Sequence, residues 1–369
     1  NTTAVELSTV VTKSVIDQIS IDPSEIDEAI IGCVLTAGLG QAPARQVSIA
    51  SGLSLDTGAI TVNKVCSSGL QSILIGNDMI KAGTANIVLA GGMESMTMSP
   101  YLMPNARQGY KMGSGEVIDH MFYDGLQNPY DQNLMGYFAE QTSKKYGFTR
   151  EDQDLFSIES VNRSLRAQRS GLFDDEIEPV VVKTRRDTTT ISKDEEPEKC
   201  DIDKIPSMRP AFDKNGTVTA ASSSSISDGA ASLIIMSADE AESRGLKPLA
   251  IIRGHKRHSQ EPEWFTTANI GAIDKLQKEL NWNKDLVDLY EINEAFACVT
   301  MAAMTDLDID HKKLNILGGA CALGHPIGAS AARILITLIY ALRNNKGKRG
   351  IASACNGGGE AVAIAIEIP

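Results

Sequence analysis

The chain lacks an excess of positive charge: 35 Lys and Arg stand against 47 Asp and Glu, a formal net charge of −12. That balance argues against binding a nucleic-acid backbone, which rests on clustered cations, and an anionic ligand would need a local basic patch. Paired cysteines are also lacking. Six are scattered at 33, 66, 200, 298, 321 and 355, with neither Cys-x-x-Cys spacing nor a compact framework, so reduced thiols are expected rather than disulfides. His120, His255, His258, His311 and His325 are isolated too, and no metal site is expected. No apolar run approaches the ~20 residues of a membrane span. The opening Asn-Thr-Thr-Ala-Val-Glu-Leu is not a basic-then-apolar signal, so a soluble cytoplasmic protein is expected. With no initiating Met, a preceding targeting segment stays open.

What is present fits an α/β protein with two or three core-bearing units: 42% hydrophobic residues and 31 glycines in 369. Val5, Leu7, Val10, Val11, Val15 and Ile19 recur at helical spacing, and Asp22-Pro23-Ser24-Glu25 starts a short second helix. Strands are predicted over 29–35 and 86–92, the second a continuous apolar run of the kind covered on both faces. A helix lies between them, ending near 79. Residues from about 95 to 225 change character, with Gly/Tyr/Pro turns, a helix near 151–168 and a charged span over 183–204, and read as an insertion. Regular order resumes with strands predicted at 230–236, 249–253, 286–292, 313–316, 351–355 and 361–368. A strand precedes Cys66 and another precedes Cys355, which hints at two related halves.

Four short segments can carry chemistry. In Asn63-Lys64-Val65-Cys66-Ser67-Ser68-Gly69, Cys66 sits where a strand runs into a helix expected to begin at Ser67, whose free N–H groups and dipole favour a thiolate nucleophile. A buried cysteine under a Ser-Ser-Gly turn fits that heptapeptide equally. His325 is clamped in Gly-His-Pro-Ile-Gly, where Pro326 presets φ and the glycines allow a tight bend. A fixed imidazole serves structure or catalysis. Cys355 ends an apolar strand before Asn356-Gly357-Gly358-Gly359, whose unhindered N–H groups suit an oxyanion hole; a Gly-rich turn with an incidental thiol is the plainer reading. Asn293, in Glu291-Ile292-Asn293-Glu294-Ala295-Phe296-Ala297, stands at a strand end, able to orient a water or to cap the next helix.

Taken in order, Asn-Lys-Val-Cys-Ser-Ser-Gly, Asn-Glu-Ala-Phe-Ala, Gly-His-Pro-Ile-Gly-Ala-Ser and Cys-Asn-Gly-Gly-Gly closely resemble the thiolases, the acetyl-CoA C-acetyltransferase (acetoacetyl-CoA thiolase) group in particular. Further agreement comes from residues 37–46, 90–96, 209–212 and 216–220. The resemblance implies a thiolase-like α/β fold, two related α-β-α-β-α layered halves with a loop domain inserted in the first. The first half would take residues 1–95 and 227–247, the loop domain 96–226 and the second half 248–369. It also implies a further strand preceding residue 1, and a homotetramer built as a dimer of dimers.

Carried over by residue, Cys66 matches the acylated nucleophile and His325 the base that activates it. Cys355 matches the acid/base acting on the α-carbon, and Asn293 the holder of a water that, with His325, stabilises an enolate-like oxygen. The N–H groups of Cys66 and Gly357 match a second oxyanion hole. Ser224 matches a contact to the pantetheine arm, and Phe296, Leu134 and Met135 lie in segments that resemble the substrate surroundings. Lys183, Arg185, Arg186, Lys204 and Arg209 are candidates for the anionic tail of coenzyme A, or a solvated face. The activity implied is reversible Claisen condensation of two acetyl-CoA to acetoacetyl-CoA and CoA through an acyl-cysteine, with CoA thioesters as substrates and no cofactor.

Leu134 stands where such members usually carry a histidine, Ser225 where glycine is usual, and residues 261–268 depart from the Asp-Pro, Met and Gly-Pro pattern. The Ser-Ser after Cys66 also resembles degradative 3-ketoacyl-CoA thiolases acting on longer chains. A non-catalytic acyl-CoA or lipid carrier on the same fold is the rival of another class.

Overall fold

In the computed structural model, which describes residues 2–19, 21–183 and 187–369, the apolar runs assemble into two four-stranded sheets. The first comprises β1 (Glu28–Gly32), β2 (Gly58–Val62), β3 (Ile87–Ser95) and β4 (Asp228–Met236) in the order β2-β1-β3-β4. β1 is parallel to both β2 and β3, and β4 runs antiparallel to β3. The second comprises β5 (Ile251–Ser259), β6 (Leu289–Ile292), β7 (Arg349–Asn356) and β8 (Glu360–Glu367) in the order β6-β7-β8-β5. β6 and β7 are parallel, and β8 is antiparallel to both β7 and β5. Thus β1, β3 and β4 repeat in the arrangement of β6, β7 and β8, a topological duplication that the letters only hinted at.

Helices α1 (Ala4–Ile19) and α2 (Pro43–Ala50) cover the outer face of the first sheet. α3 (Ser68–Ala82) packs between the sheets beside the second half's last helix, Ser330–Asn344. In the insertion between β3 and β4 lie α4 (Met135–Tyr146) and α5 (Arg150–Arg169), and α6 (Ala268–Leu280) and α7 (Ala297–Leu307) cover the far face of the second sheet. The Ser330–Asn344 helix is α8. The order α-β-α-β-α therefore runs once through the pair, which share the α3/α8 layer. Leu70 and Leu74 of α3, Ile334 and Leu338 of α8, Val88 of β3 and Ile364 of β8 form one core across that layer. Along β7 the side chains alternate: Ala352 and Ala354 face this central layer, while Ile351 and Cys355 face the α6/α7 side.

Local signals explain the element boundaries. Thr3 and Glu6 bond reciprocally at the start of α1, and Thr149 with Asp152 forms a capping box for α5, close to the predicted 151–168 span. The second helix expected after Asp22 is a single turn, Pro23–Glu25, capped by Asp22. The strand predicted over 29–35 ends at Gly32, because Val34 and Leu35 turn their N–H groups to the Glu94 carboxylate. The strand predicted at 313–316 is absent. Asn315 takes a left-handed φ of 45°, and its carboxamide bonds both the N–H and the carbonyl of Ile292 at 2.9 Å. A side chain thus substitutes there for strand backbone. Among the described residues no helix is long and apolar enough to cross a membrane.

Glu94 joins the halves. Fully buried, its carboxylate accepts from Val34 and Leu35 at 3.1 Å and from Gly328 of the second half at 3.0 Å. Burial pushes its pKa up to about 7 against the pull of those three N–H donors. Nearby, Gly92 has no room for a side chain, since a Cβ would stand 2.1 Å from Gly328 O. A Glu94→Gln substitution turns an amide donor toward backbone donors. It is expected to cost about 2–4 kcal/mol, measured as a lower midpoint in guanidinium denaturation.

Candidate active site

Between β2 and α3 the chain makes a strained turn. Val65 adopts a φ of 47°, a left-handed conformation that costs a β-branched residue about 1–3 kcal/mol. Three polar contacts hold it: Asn63 Oδ1 accepts the Val65 N–H at 2.9 Å, while the Ser68 hydroxyl accepts the Lys64 N–H at 2.8 Å and donates to Val65 O at 2.6 Å. The turn presents Cys66 half-buried just before α3, which starts at Ser68, one residue later than expected. Ser67 does not cap that helix. Its hydroxyl instead lies 2.9 Å from Ala354 O and 2.8 Å from Asn356 Oδ1, so the Cys66 turn is fastened to the end of β7.

The surroundings of the Cys66 sulfur push its pKa up to about 12, while the N–H groups of Gly357 and of Cys66 itself pull it down. The resting group is a thiol. The thiolate expected from the helix end does not prevail, because desolvation outweighs a dipole acting from one side. A proton acceptor is therefore required.

His325 can accept a proton. Gly324, with a φ of 86°, turns the chain so that the ring is buried. Nδ1 lies 2.7 Å from the Ser330 hydroxyl, which itself lies 2.9 Å from Pro326 O. Because that hydroxyl donates to the carbonyl, it accepts from Nδ1–H, and Nε2 keeps its lone pair. The pKa is lowered to about 3, chiefly by burial and then by Arg333, so the ring is neutral at pH 7. Asn293 Nδ2 lies 3.3 Å from Nε2, and Asn293 Oδ1 is buried with no protein partner, a position suited to an ordered water.

Cys355 is fully buried on β7. Burial, and then the Cys66 and Cys298 sulfurs, push its thiol well above the ordinary range, which places Cys66 and Cys355 within electrostatic reach of each other. The β7–β8 turn uses left-handed φ values of 93° at Gly358 and 84° at Gly359. At Gly359 a Cβ would stand 2.3 Å from Gln260 O. The Met135 sulfur sits against Gly357, 3.4 Å from where a Cβ would be. Lys64 pairs with Glu360 at 2.6 Å, a second tie between the Cys66 turn and β8.

The site thus gathers Cys66, Cys355, Gly357 and Met135, with His325 and Asn293 as a bonded pair at the end of β6. Gly69 and Gly328 meet where α3 passes the His325 loop. Ser224 is tied to the Asn293 turn, its N–H and hydroxyl both donating to Ala295 O at 3.1 and 3.0 Å. Phe296 is buried edge-on to Phe212 at 5.9 Å, and Leu134 precedes α4. The basic candidates do not form one cluster at these residues: Lys204 pairs with Asp201 at 2.8 Å, Lys183 and Arg209 are exposed, and Arg185 and Arg186 lie outside the described residues. Ser67, Ser330 and Asn356 went unassigned in the sequence reading although each lies inside a quoted motif, since nothing in spacing shows which atom a hydroxyl or carboxamide meets. No three His, Cys, Asp or Glu side chains among the described residues cluster as a metal would require.

Comparison with known proteins agrees with this geometry. The pattern described as "Thiolase, N-terminal domain" matches residues 1–239, and "Thiolase, C-terminal domain" matches residues 246–368. A Dictyostelium discoideum protein named "Probable acetyl-CoA acetyltransferase" is 47% identical over 363 residues, 98% of this chain and 88% of that one. The Cupriavidus necator "Acetyl-CoA acetyltransferase" is 42% identical over 366 residues, 99% of this chain and 93% of its own. The crystal structure of Acat5 thiolase from Ascaris suum in complex with coenzyme A superposes with a TM-score of 0.94 at 40% identity, covering 100% of this chain and 94% of that one. Matched by both thiolase patterns over nearly its whole length and sharing its fold with a solved thiolase, the chain belongs to the thiolase family.

Proposed function

We propose that the protein is an acyltransferase, an acetyl-CoA acetyltransferase that condenses two acetyl-CoA to acetoacetyl-CoA and CoA, reversibly, through an acyl-Cys66 intermediate. The observation that carries this reading is the hold of the Ser67 hydroxyl on Ala354 O and Asn356 Oδ1, the two residues that flank Cys355, which sets the Cys66 turn against the second thiol. The names of relatives at 42–47% identity support the choice of acetyl substrate.

In this reading the Cys66 sulfur attacks the thioester carbonyl, its proton passing to His325 Nε2, while the Cys355 thiol gives its own proton to the departing CoA sulfur and is left a thiolate. The carbonyl oxygen of the acyl-enzyme faces the N–H groups of Cys66 and Gly357. Cys355, as thiolate, takes a methyl proton from the second acetyl-CoA, and the electron pair moves onto the thioester oxygen. His325 and a water on Asn293 stabilise that oxygen. The new carbanion attacks the acyl carbonyl, the carbon–sulfur bond to Cys66 breaks, and His325 returns its proton to the Cys66 thiolate while Cys355 keeps the proton it took from the methyl group, which restores the resting site. Ser224, Phe296, Leu134 and Met135 line the approach of the pantetheine and acyl groups, and the exposed Arg209 meets the anionic tail. The reading includes a cytoplasmic homotetramer; the exposed Ile60 on edge strand β2 and the exposed Tyr101, Met103 and Met112 of the insertion support self-association.

Brief exposure to acetoacetyl-CoA is expected to leave an acetyl adduct on Cys66 by peptide mass spectrometry; its absence under turnover conditions would favour a carrier. Cys66→Ala is expected to abolish the adduct, whereas Cys355→Ser allows slow acylation but loses condensation by about 10³-fold or more. Turnover of acetoacetyl-CoA is expected to exceed that of a 3-ketoacyl-CoA with a chain of roughly eight carbons or longer, the reverse order marking a degradative enzyme. Because the His325 pKa lies near 3, its neutral form persists as pH falls from 8 to 5. Pre-steady-state acylation is therefore expected to show no inflection at the ordinary histidine value of about 6.5.

A further inference from the structure

Within the insertion, residues Met121–Leu126 form one wide π-helical turn, exposed at Phe122, Tyr123 and Asp124 and buried at Gly125. Its inner side meets the loop that follows β1. Met121 and Leu126 pack against Val34, Leu35, Met96 and Ile327, and a Cβ at Gly125 would stand 3.0 Å from Ile327 Cδ1 and 3.4 Å from Leu35 Cδ2. Cys66 packs against the same four residues. The sulfur assigned to carry the acyl group therefore shares one apolar patch with this turn. A lone helical turn does not hold itself together, and turns of this width recur at functional sites.

The residue before the turn, His120, supplies the missing hold. Its ring is buried and reaches in two directions: Nδ1 lies 2.5 Å from Asp124 Oδ2, inside the turn, and Nε2 lies 3.3 Å from the backbone nitrogen of Ala37. A backbone N–H can only donate, so Nε2 is the acceptor there, and Nδ1–H donates to the carboxylate. Both bonds are thus fixed in direction. Ala37 closely follows Val34 and Leu35, whose own N–H groups are held by Glu94. The entry to the turn is fastened as well, with the His120 N–H on Pro100 O at 3.2 Å and the Met121 N–H on Asp119 Oδ1 at 2.9 Å.

We propose that His120 is a positioning residue for acyl selection: by bridging the Ala37 N–H and the Asp124 carboxylate it keeps Met121 and Leu126 pressed on the patch beside Cys66, so that a short acyl group is accommodated on the sulfur and a longer one must displace the turn. This rests on the acyl-Cys66 reading above and gives it a physical basis for substrate size. One methylene of misfit in an apolar pocket discriminates by about 10–200-fold, so a small release of the turn is enough to change the selection.

The test compares the initial rates at which acetyl-CoA and hexanoyl-CoA acylate Cys66 in the full chain, read by peptide mass spectrometry and expressed as the hexanoyl-to-acetyl ratio. A ratio does not depend on how much of a variant is folded, so a loss of stability alone leaves it unmoved. His120→Leu, which removes both bonds and keeps most of the bulk, is expected to raise the ratio about tenfold. His120→Gln, whose carboxamide can accept from the Ala37 N–H and donate to Asp124, is expected to return it toward the original value. Asp124→Ala cuts the bridge at its exposed end and is expected to raise the ratio by less; it carries the test if thermal melting shows that His120→Leu does not fold. An unmoved or lowered ratio in a folded variant overturns the proposal, as does a glutamine variant that behaves like the leucine one. Failure of the acyl-enzyme reading shows instead as no acetyl adduct on Cys66 in the unmodified chain.

Discussion

The Ser67 hydroxyl, held between Ala354 O and Asn356 Oδ1, is the contact on which the rest of the site depends. Cys66 belongs to the first sheet's side of the molecule and Cys355 to the second, and nothing in the covalent chain keeps them near each other. Shared packing of α3 and α8 brings the sheets together to within a side chain's tolerance. Apolar packing is non-directional, however, and cannot set the register of two turns to a fraction of an ångström. Ser67, the Lys64–Glu360 pair and the Glu94 carboxylate supply that directionality. Each joins a residue of the first half to a residue of the second.

The three groups assigned to chemistry are neutral at rest for one common reason. Desolvation penalises a thiolate and an imidazolium alike, so it raises both cysteines and lowers the histidine. Charge then arises only when a proton moves, at atoms that already face fixed dipoles: the Gly357 N–H toward the Cys66 sulfur, and the Ser330 hydroxyl oxygen that accepts from the imidazole Nδ1–H. Such a site has little need to reorganise during reaction, which is how fixed dipoles lower a barrier.

Much of the fold was legible because apolar runs and turn residues act locally. The buried run at 86–92 became β3, and the Thr149/Asp152 signal marked the start of α5. The turn at Cys66 and the Gly-Pro clamp at His325 were legible for the same reason. What escaped depended on partners far along the chain. Nothing near Asn315 reveals that its carboxamide will replace a strand, and nothing near His120 points to Ala37, 83 positions away. The Cys66 thiolate was misjudged because a helix end is visible in sequence, whereas the depth of burial around a sulfur is a property of the whole assembly. The shared α3/α8 layer was hidden likewise, since two similar halves do not declare which of their faces they have in common.

The Asn315 carboxamide has one more effect. By occupying both the donor and the acceptor of Ile292, it closes the free margin of the second sheet beside the strand that carries Asn293. A stray extended peptide, whether from a neighbour or from a partly unfolded copy, finds no template there. One residue thereby seals the margin across two positions of the strand, its side chain on Ile292 and its own N–H on Tyr290 O at 3.0 Å.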